Sequence, residues 1–219
     1  DTQLLFSLFA NKNYCYPKPK VSEIKIAVVS DFNLIDLDSK TYNIYDNFFK
    51  SLSKKGFRIS KISLPEFKEI NDLLMEKGHL VNYEAWHYWK DILKINMNLV
   101  DKNVLKRFML GKSLKIKEKE FIKKKKIKLK KNIVEKSADF DFLATPTLAF
   151  PPPSLSNIKS SETYDYHNMA VLNNTRIANI CNFSAISFPI STDYSKFNSL
   201  SLFAKENQDK KLLCVAEKI

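Results

Sequence analysis

Glycine is the residue this chain almost lacks. It occurs three times, at Gly56, Gly78 and Gly111, where average usage of about 7% would give roughly fifteen. No two of them lie close together. A backbone cradle that needs glycine at short spacing is therefore excluded, whether a phosphate loop, a dinucleotide-binding turn or a G-x-S-x-G nucleophile elbow. The rest of the composition is that of an ordinary core-forming chain. Its 219 residues are 44% hydrophobic and 27% charged, enough for one domain or a large piece of one. The sequence opens on DTQLLFSLFA, with Leu4, Leu5, Leu8 and Phe9 at helical spacing and no capping residue ahead of them. That start predicts a processed chain or a fragment.

The net charge of +12 is carried by lysine: of 36 basic residues only Arg58, Arg107 and Arg176 are arginine. Nucleic-acid readers rely on the planar guanidinium fork. A solvated lysine surface is accordingly preferred over a nucleic-acid site. The densest run, Lys123 to Lys126, falls in a predicted helix from Leu114 to about Lys136, in which Leu114, Phe121, Ile122, Leu129 and Ile133 share one face. Cys15, Cys181 and Cys214 are odd in number and widely spaced, which argues against a disulfide framework or zinc site and for a reducing, cytoplasmic setting. No apolar run approaches a membrane span, and no metal-ligand pattern involves His79, His87 or His167.

Periodicity predicts an α/β protein. Glu23–Ser30 reads as a strand, a helix runs from a cap at Asp38 or Ser39 to about Lys55, Gly56 sits at its C-terminal end, and Phe57–Leu64 returns as a second, parallel strand. The middle is helical. Pro65 opens a segment to Met75, another covers Val81 to Ile95, Asp101 caps a helix ended by Gly111, and Ser113 caps the lysine helix. Asp141–Ala144 is a short strand, Pro151 to Pro153 force an extended turn, and His167 to Cys181 reads as one helix. Ser184–Ile190 is a buried strand, Leu200–Ala204 a further one, and Asn207 caps a terminal helix.

Residue chemistry alone offers no convincing catalytic constellation. His87 sits in the aromatic stretch Tyr83–Trp89 and is favoured as a packed, satisfied histidine over a catalytic one. Asp139 and Asp141 flank Phe140, where a strand-edge role is preferred to a general acid/base pair. No serine has the glycine neighbours that an oxyanion-binding turn requires.

Read in order, however, several segments resemble the C-terminal half of the amidase signature family. The opening DTQLLFSLFANKN is similar to the helix that follows that family's catalytic core, and EIKIAVVSD to the next strand. Glu84-Ala85 in an aromatic helix precedes Val104–Gly111 and a long basic helix. That helix leads to Phe140–Thr147, which resembles the family's D-x-L-x-x-P-T strand. Asn173-Asn174-Thr175-Arg176-Ile177-Ala178-Asn179 with Ala185–Pro189 resembles its N-T-x-x-x-N and A-I-S-x-P run, and Lys211–Ala216 its closing helix.

The resemblance implies part of the amidase signature fold, a mixed central sheet flanked by helices on both faces. Residues 1–219 would form the C-terminal portion of a single amidase domain. It implies hydrolysis of carboxamide C–N bonds to acid and ammonia or amine by a Ser–cis-Ser–Lys triad, with no metal and no cofactor. The triad residues all lie upstream of the position matching Asp1, so no catalytic residue carries over and the chain alone is expected to be inactive. Arg107, Thr147, Asn179 and Asn182 become candidate walls of the substrate cleft, with surface or helix-end roles as the plainer alternatives. The implied partners are a small-molecule amide, the missing N-terminal catalytic half and a second copy in a homodimer; no membrane is expected. Two alternatives are an A-subunit-like component of a tRNA-dependent amidotransferase and a non-catalytic remnant paired with a separate catalytic half. tRNA is disfavoured, because Val171–Asn174 lacks the acid that such components carry before the A-I-S-x-P strand.

Overall fold

The structure is a computed structural model that describes residues 2–11, 19–31, 39–77, 80–148, 153–190 and 198–219. Cys15, Gly78, His79 and the Pro151-Pro152 part of the proline turn lie outside the described residues. The chain divides into two compact units, one of Asp1–Pro65 with Ile133–Ile219 and one of Glu66–Asn132.

The first unit is built on a five-stranded sheet of order β2-β1-β3-β5-β4, comprising β1 (Lys25–Val29), β2 (Arg58–Ile62), β3 (Phe142–Pro146), β4 (Ser184–Pro189) and β5 (Ser199–Ala204). β1 is parallel to β2 and to β3, whereas β5 is antiparallel to both β3 and β4. The sheet is therefore mixed, as expected. Burial follows strand position. β3, in the middle, is buried at every residue, while the edge strands β2 and β4 bury only part of their surface. The expectation of a buried strand at Ser184–Ile190 is corrected accordingly. It is an edge strand alternating half-buried and exposed residues, and its terminal Pro189 is tolerated there because an edge does not need every N–H.

One face of the sheet packs Ile26, Phe142, Ala144, Leu202 and Ala204 against Tyr45 and Leu52 of α2 (Ser39–Lys54) and Leu212 and Val215 of α9 (Asp209–Ala216). Ala27, Val29, Leu143 and Phe203, of the opposite parity, are also buried, so both faces are covered. α2 ends as its sequence predicts. Gly56 has φ +99°, its N–H donates to the Ser53 carbonyl and that of Phe57 to the Leu52 carbonyl, the paired bonds of a Schellman cap. α1 (Thr2–Phe9) buries none of its residues.

His167 to Cys181 is not one helix. It is divided into α7 (Ser161–Leu172), capped by the Ser160 hydroxyl, and α8 (Thr175–Cys181). The break falls at Asn173-Asn174, where the Asn174 side chain turns inward to bind the Pro146 carbonyl at 2.9 Å. Asn207 has a left-handed φ of 63° and does not cap α9; its N-cap residue is Gln208.

The second unit holds α3 (Glu66–Lys77), α4 (Leu80–Asn96), α5 (Lys102–Ser113) and α6 (Ile116–Lys136) as far as Asn132. Asp101 caps α5 as predicted, accepting from the N–H groups of Asn103 and Val104 at 2.9 and 3.2 Å. Two other expectations fail here. Gly111 lies inside α5, not at its end, and it is buried because a Cβ there would overlap the Asn82 carbonyl of α4. Ser113 returns its hydroxyl to the Leu110 carbonyl, and the start of α6 is capped instead by Glu118, which accepts from the Lys115 N–H at 2.9 Å. The buried stripe of α6 is Ile122, Leu129 and Ile133, while Phe121 is exposed.

Candidate functional site

In the first unit the sheet changes direction between β1 and β3. The chain leaves β1 through α2 toward β2 on one side, and β3 lies beside β1 on the other. In open α/β sheets a ligand crevice forms outside the carboxyl ends of strands at such a switch point. Here Asp31 and Thr147 each stand three residues beyond the paired Val28 and Ala144.

Thr147 is one of the candidate residues, and its surroundings are polar. Its hydroxyl lies 2.7 Å from that of Ser187 and 2.8 Å from that of Ser201. Ser201 is opposite both Thr145 and Ser187 in the strand register, so Thr145, Ser201 and Ser187 make one cross-strand row. Thr147 closes the row at its end. The Thr145 hydroxyl is fully buried and has no hydrogen-bond partner among the described residues. The row lies on the same face of the sheet as the buried Leu143 and Phe203. Hydroxyls both donate and accept, so the row can hold the C=O or N–H of an amide. It contains no base and can break no bond by itself.

Asp31 anchors the adjoining strand ends. Its carboxylate accepts from the Leu64 N–H at 2.6 Å and from the Ser30 hydroxyl at 3.2 Å. Partial burial pushes its pKa upward, but hydrogen bonds from Ser63, Leu64 and Ser30 and the charge of Lys136 outweigh that and hold it below the ordinary 3.8. On the other side, Asn174 fastens the first turn of α8 to the end of β3 through Pro146.

In the same unit, Asn179 and Asn182 make their described hydrogen bonds away from Thr147. Asn179 is exposed on α8, and its carbonyl accepts from the Asn182 N–H at 3.2 Å. Asn182 ends that helix in the left-handed conformation, φ 55°, and donates to Glu206. Arg107 is half-buried on α5 in the other unit and is already engaged in an interaction. Asp141 lies at the opposite, amino end of β3, where it accepts from the Lys25 N–H at 2.8 Å and pairs with Lys211. It is a strand-edge anchor, as preferred. His87 is exposed, stacks on Tyr83 at 4.0 Å and donates from Nδ1 to the Tyr83 carbonyl. No group of three or more metal-ligating side chains occurs among the described residues, nor is any described helix long and apolar enough to cross a membrane.

Ser187, Ser201, Asn174 and Asp31 were not candidates from sequence. Ser201 was detectable as a polar residue inside the run Ser199–Ala204, and Asn174 as the second asparagine of the Asn173–Asn179 motif. Asp31 gave only the weak signal of an acid following a strand.

Known proteins agree with this architecture. The sequence profile of the amidase family matches residues 11–213. The chain is 22% identical to the 2-amino-5-chloromuconic acid deaminase of Comamonas testosteroni, over 99% of this chain and 47% of that protein. It is 27% identical to the A subunit of the glutamyl-tRNA(Gln) amidotransferase of Sulfolobus acidocaldarius, over 92% and 46%. It thus spans about half the length of these curated relatives. Among solved structures, an amidase superposes with a TM-score of 0.79 at 16% identity, over 99% of this chain and 49% of that one. The allophanate hydrolase of Kluyveromyces lactis also gives 0.79, at 18% identity over 92% and 32%. With nearly its whole length matched by the profile and the same fold in these structures, the chain belongs to the amidase family.

Proposed function

We propose that this chain is the C-terminal portion of an amidase that hydrolyses carboxamide C–N bonds to acid and ammonia or amine, and that its Ser–cis-Ser–Lys triad lies upstream of Asp1. The observation that carries this reading is the family match over residues 11–213 by a chain spanning about half of its curated relatives. The scarcity of glycine supports it, since three isolated glycines cannot build the Gly/Ser-rich oxyanion loop of that chemistry. In this reading residues 1–219 complete one amidase domain, and the hydroxyl row around Thr147 forms part of the substrate cleft. Arg107, Asn179 and Asn182 stand as further cleft positions. The buried thiols of Cys181 and Cys214 fit a reducing compartment such as the cytoplasm.

The test is ammonia release from a simple carboxamide such as propionamide. The 219-residue chain alone should release none, whereas the full polypeptide encoded by its gene should turn over. Turnover by the 219-residue chain alone would overturn the assignment of the triad to another part of the protein. A second reading, an A-subunit-like component of a tRNA-dependent amidotransferase, draws on the identity to the Sulfolobus acidocaldarius protein. Ammonia channelled to misacylated tRNA, with glutamine as its source, would favour it over a general amidase.

A further inference from the structure

α6 carries a charged outer face that the chemistry of the sheet does not use. Ten lysines against three glutamates leave this one helix with +7 of the chain's +12. At about 100° per residue, Lys117, Lys124, Lys128 and Lys131 fall within about 60° of one another, on the side away from the buried Ile122 and Leu129. All four are exposed. The row is bordered by apolar side chains that also face water. Ile116 and Ile127 lie on one flank, 66% and 68% exposed, and Phe121 on the other, 44% exposed. Helical spacing alone puts Phe121 with Ile122 on the buried face. The structure instead turns it outward, with the Lys125 ammonium 6.0 Å from the centre of its ring. Two classes of partner fit a row of lysines, and the apolar flanks choose between them. A nucleic acid offers phosphates but no apolar phase for two isoleucines, and its readers favour the arginine fork that α6 lacks. An anionic bilayer offers both, with headgroup charge for the ammonium groups and acyl chains just beneath for isoleucine and phenylalanine.

We propose that the outer face of α6 docks the protein reversibly on a membrane rich in anionic lipid. Lys117, Lys124, Lys128 and Lys131 lie over the headgroups, and Ile116, Phe121 and Ile127 reach below them. The expectation of no membrane rests on the lack of a spanning run, and a surface contact needs none. It is therefore compatible with there being no described helix long and apolar enough to cross a bilayer. The docking is independent of the amidase reading.

The test is co-sedimentation of the full polypeptide encoded by the gene with vesicles of phosphatidylcholine, either alone or mixed with phosphatidylserine. Binding should be saturable, confined to the phosphatidylserine vesicles and weakened by added salt. Each lysine at an anionic surface is worth about fivefold in affinity, so Lys117→Gln, Lys124→Gln and Lys128→Gln together should weaken binding at least about tenfold. Phe121→Ser with Ile127→Ser, which leaves the charge unchanged, should weaken it as well. Both sets replace exposed side chains, so their urea midpoints should stay at the parent's, which separates lost docking from lost fold. Failure of the full polypeptide to bind phosphatidylserine vesicles would overturn the proposal, as would binding that the lysine substitutions leave intact. Lysine-dependent binding that ignores the loss of Phe121 and Ile127, and that a short duplex RNA matches, would make the face a general polyanion surface and overturn the membrane claim.

Discussion

Gly111 and Gly56 are needed for different physical reasons. At Gly111 the constraint is space. An added Cβ would overlap the Asn82 carbonyl and stand 2.8 Å from the Tyr83 nitrogen, and backbone cannot swing aside as a side chain can. Gly111→Ala should therefore push α4 and α5 apart and cost roughly 1–3 kcal/mol. At Gly56 space is open, with the Val21 side chain 3.8 Å from the added carbon, and the constraint is the φ of +99°. Gly56→Ala should cost about 1–2 kcal/mol, all of it backbone strain. Urea midpoints measure both. A Gly111→Ala protein as stable as the parent would mean that the helices are not in this close contact. Asp31 supplies a pH-dependent prediction. Its folded pKa lies below 3.8, so the charged form is favoured by folding. The stability it contributes is fully present above the unfolded value and is lost as pH falls through the lower, folded one. The difference in urea midpoint between the parent and Asp31→Asn should hence be constant near neutrality and shrink below about pH 4. A difference that grows on acidification would contradict the network around Leu64 and Ser63.

At the scale of elements, the break between α7 and α8 has the clearest cause. Asn174 is 4% exposed and spends its side chain on the Pro146 carbonyl. Asn174→Ala would leave that buried acceptor unpaired, a loss of about 1–3 kcal/mol. Because the bond also holds α8 to the sheet, amide exchange in α8 should accelerate more than in α7; uniform acceleration would mean that Asn174 merely stabilises the unit as a whole. Sequence periodicity saw His167–Cys181 as one helix because both halves are helical, and the partner that separates them is 28 residues away. The same limit explains Gly111. A glycine late in a helical pattern looks like a terminator, and only the approach of α4 shows it to be a packing point. Local signals fared better where the chemistry is local: the Gly56 cap, the Asp101 cap and the β1–α2–β2 crossover all follow from residues close in sequence. The hydroxyl row was half legible. Thr147 belongs to a recognisable strand end, but Ser187 and Ser201 join it only through antiparallel pairing across β5.

Over the whole molecule, two surface properties oppose each other. The net charge of +12 keeps copies apart. The lysines of α6 contribute heavily, and Lys119 and Lys125 also lie over the rings of Tyr83 and Phe121 at 4.4 and 6.0 Å. Against this, α1 presents Leu4, Leu5, Leu8 and Phe9 at exposures of 50% to 88%, an apolar stripe of the kind that drives association. The sheet edge at β2 is better protected, since Arg58 and Lys61 discourage pairing with another strand. Charge repulsion reaches only about 10 Å at 0.1 M salt, so added salt should remove the protection and leave the stripe of α1 to act. The 219-residue chain is expected to remain dispersed at low ionic strength and to scatter light increasingly as salt rises. Replacing Leu5 and Leu8 together by lysine should move that onset to higher salt. It should change the unfolding free energy, measured by urea denaturation, by no more than about 0.5 kcal/mol per site, the usual range for exposed positions. A larger loss would show that α1 is packed in the isolated chain. An unchanged scattering onset would place the associating surface elsewhere, with the exposed Tyr88, Ile92 and Ile95 of α4 the next face to substitute.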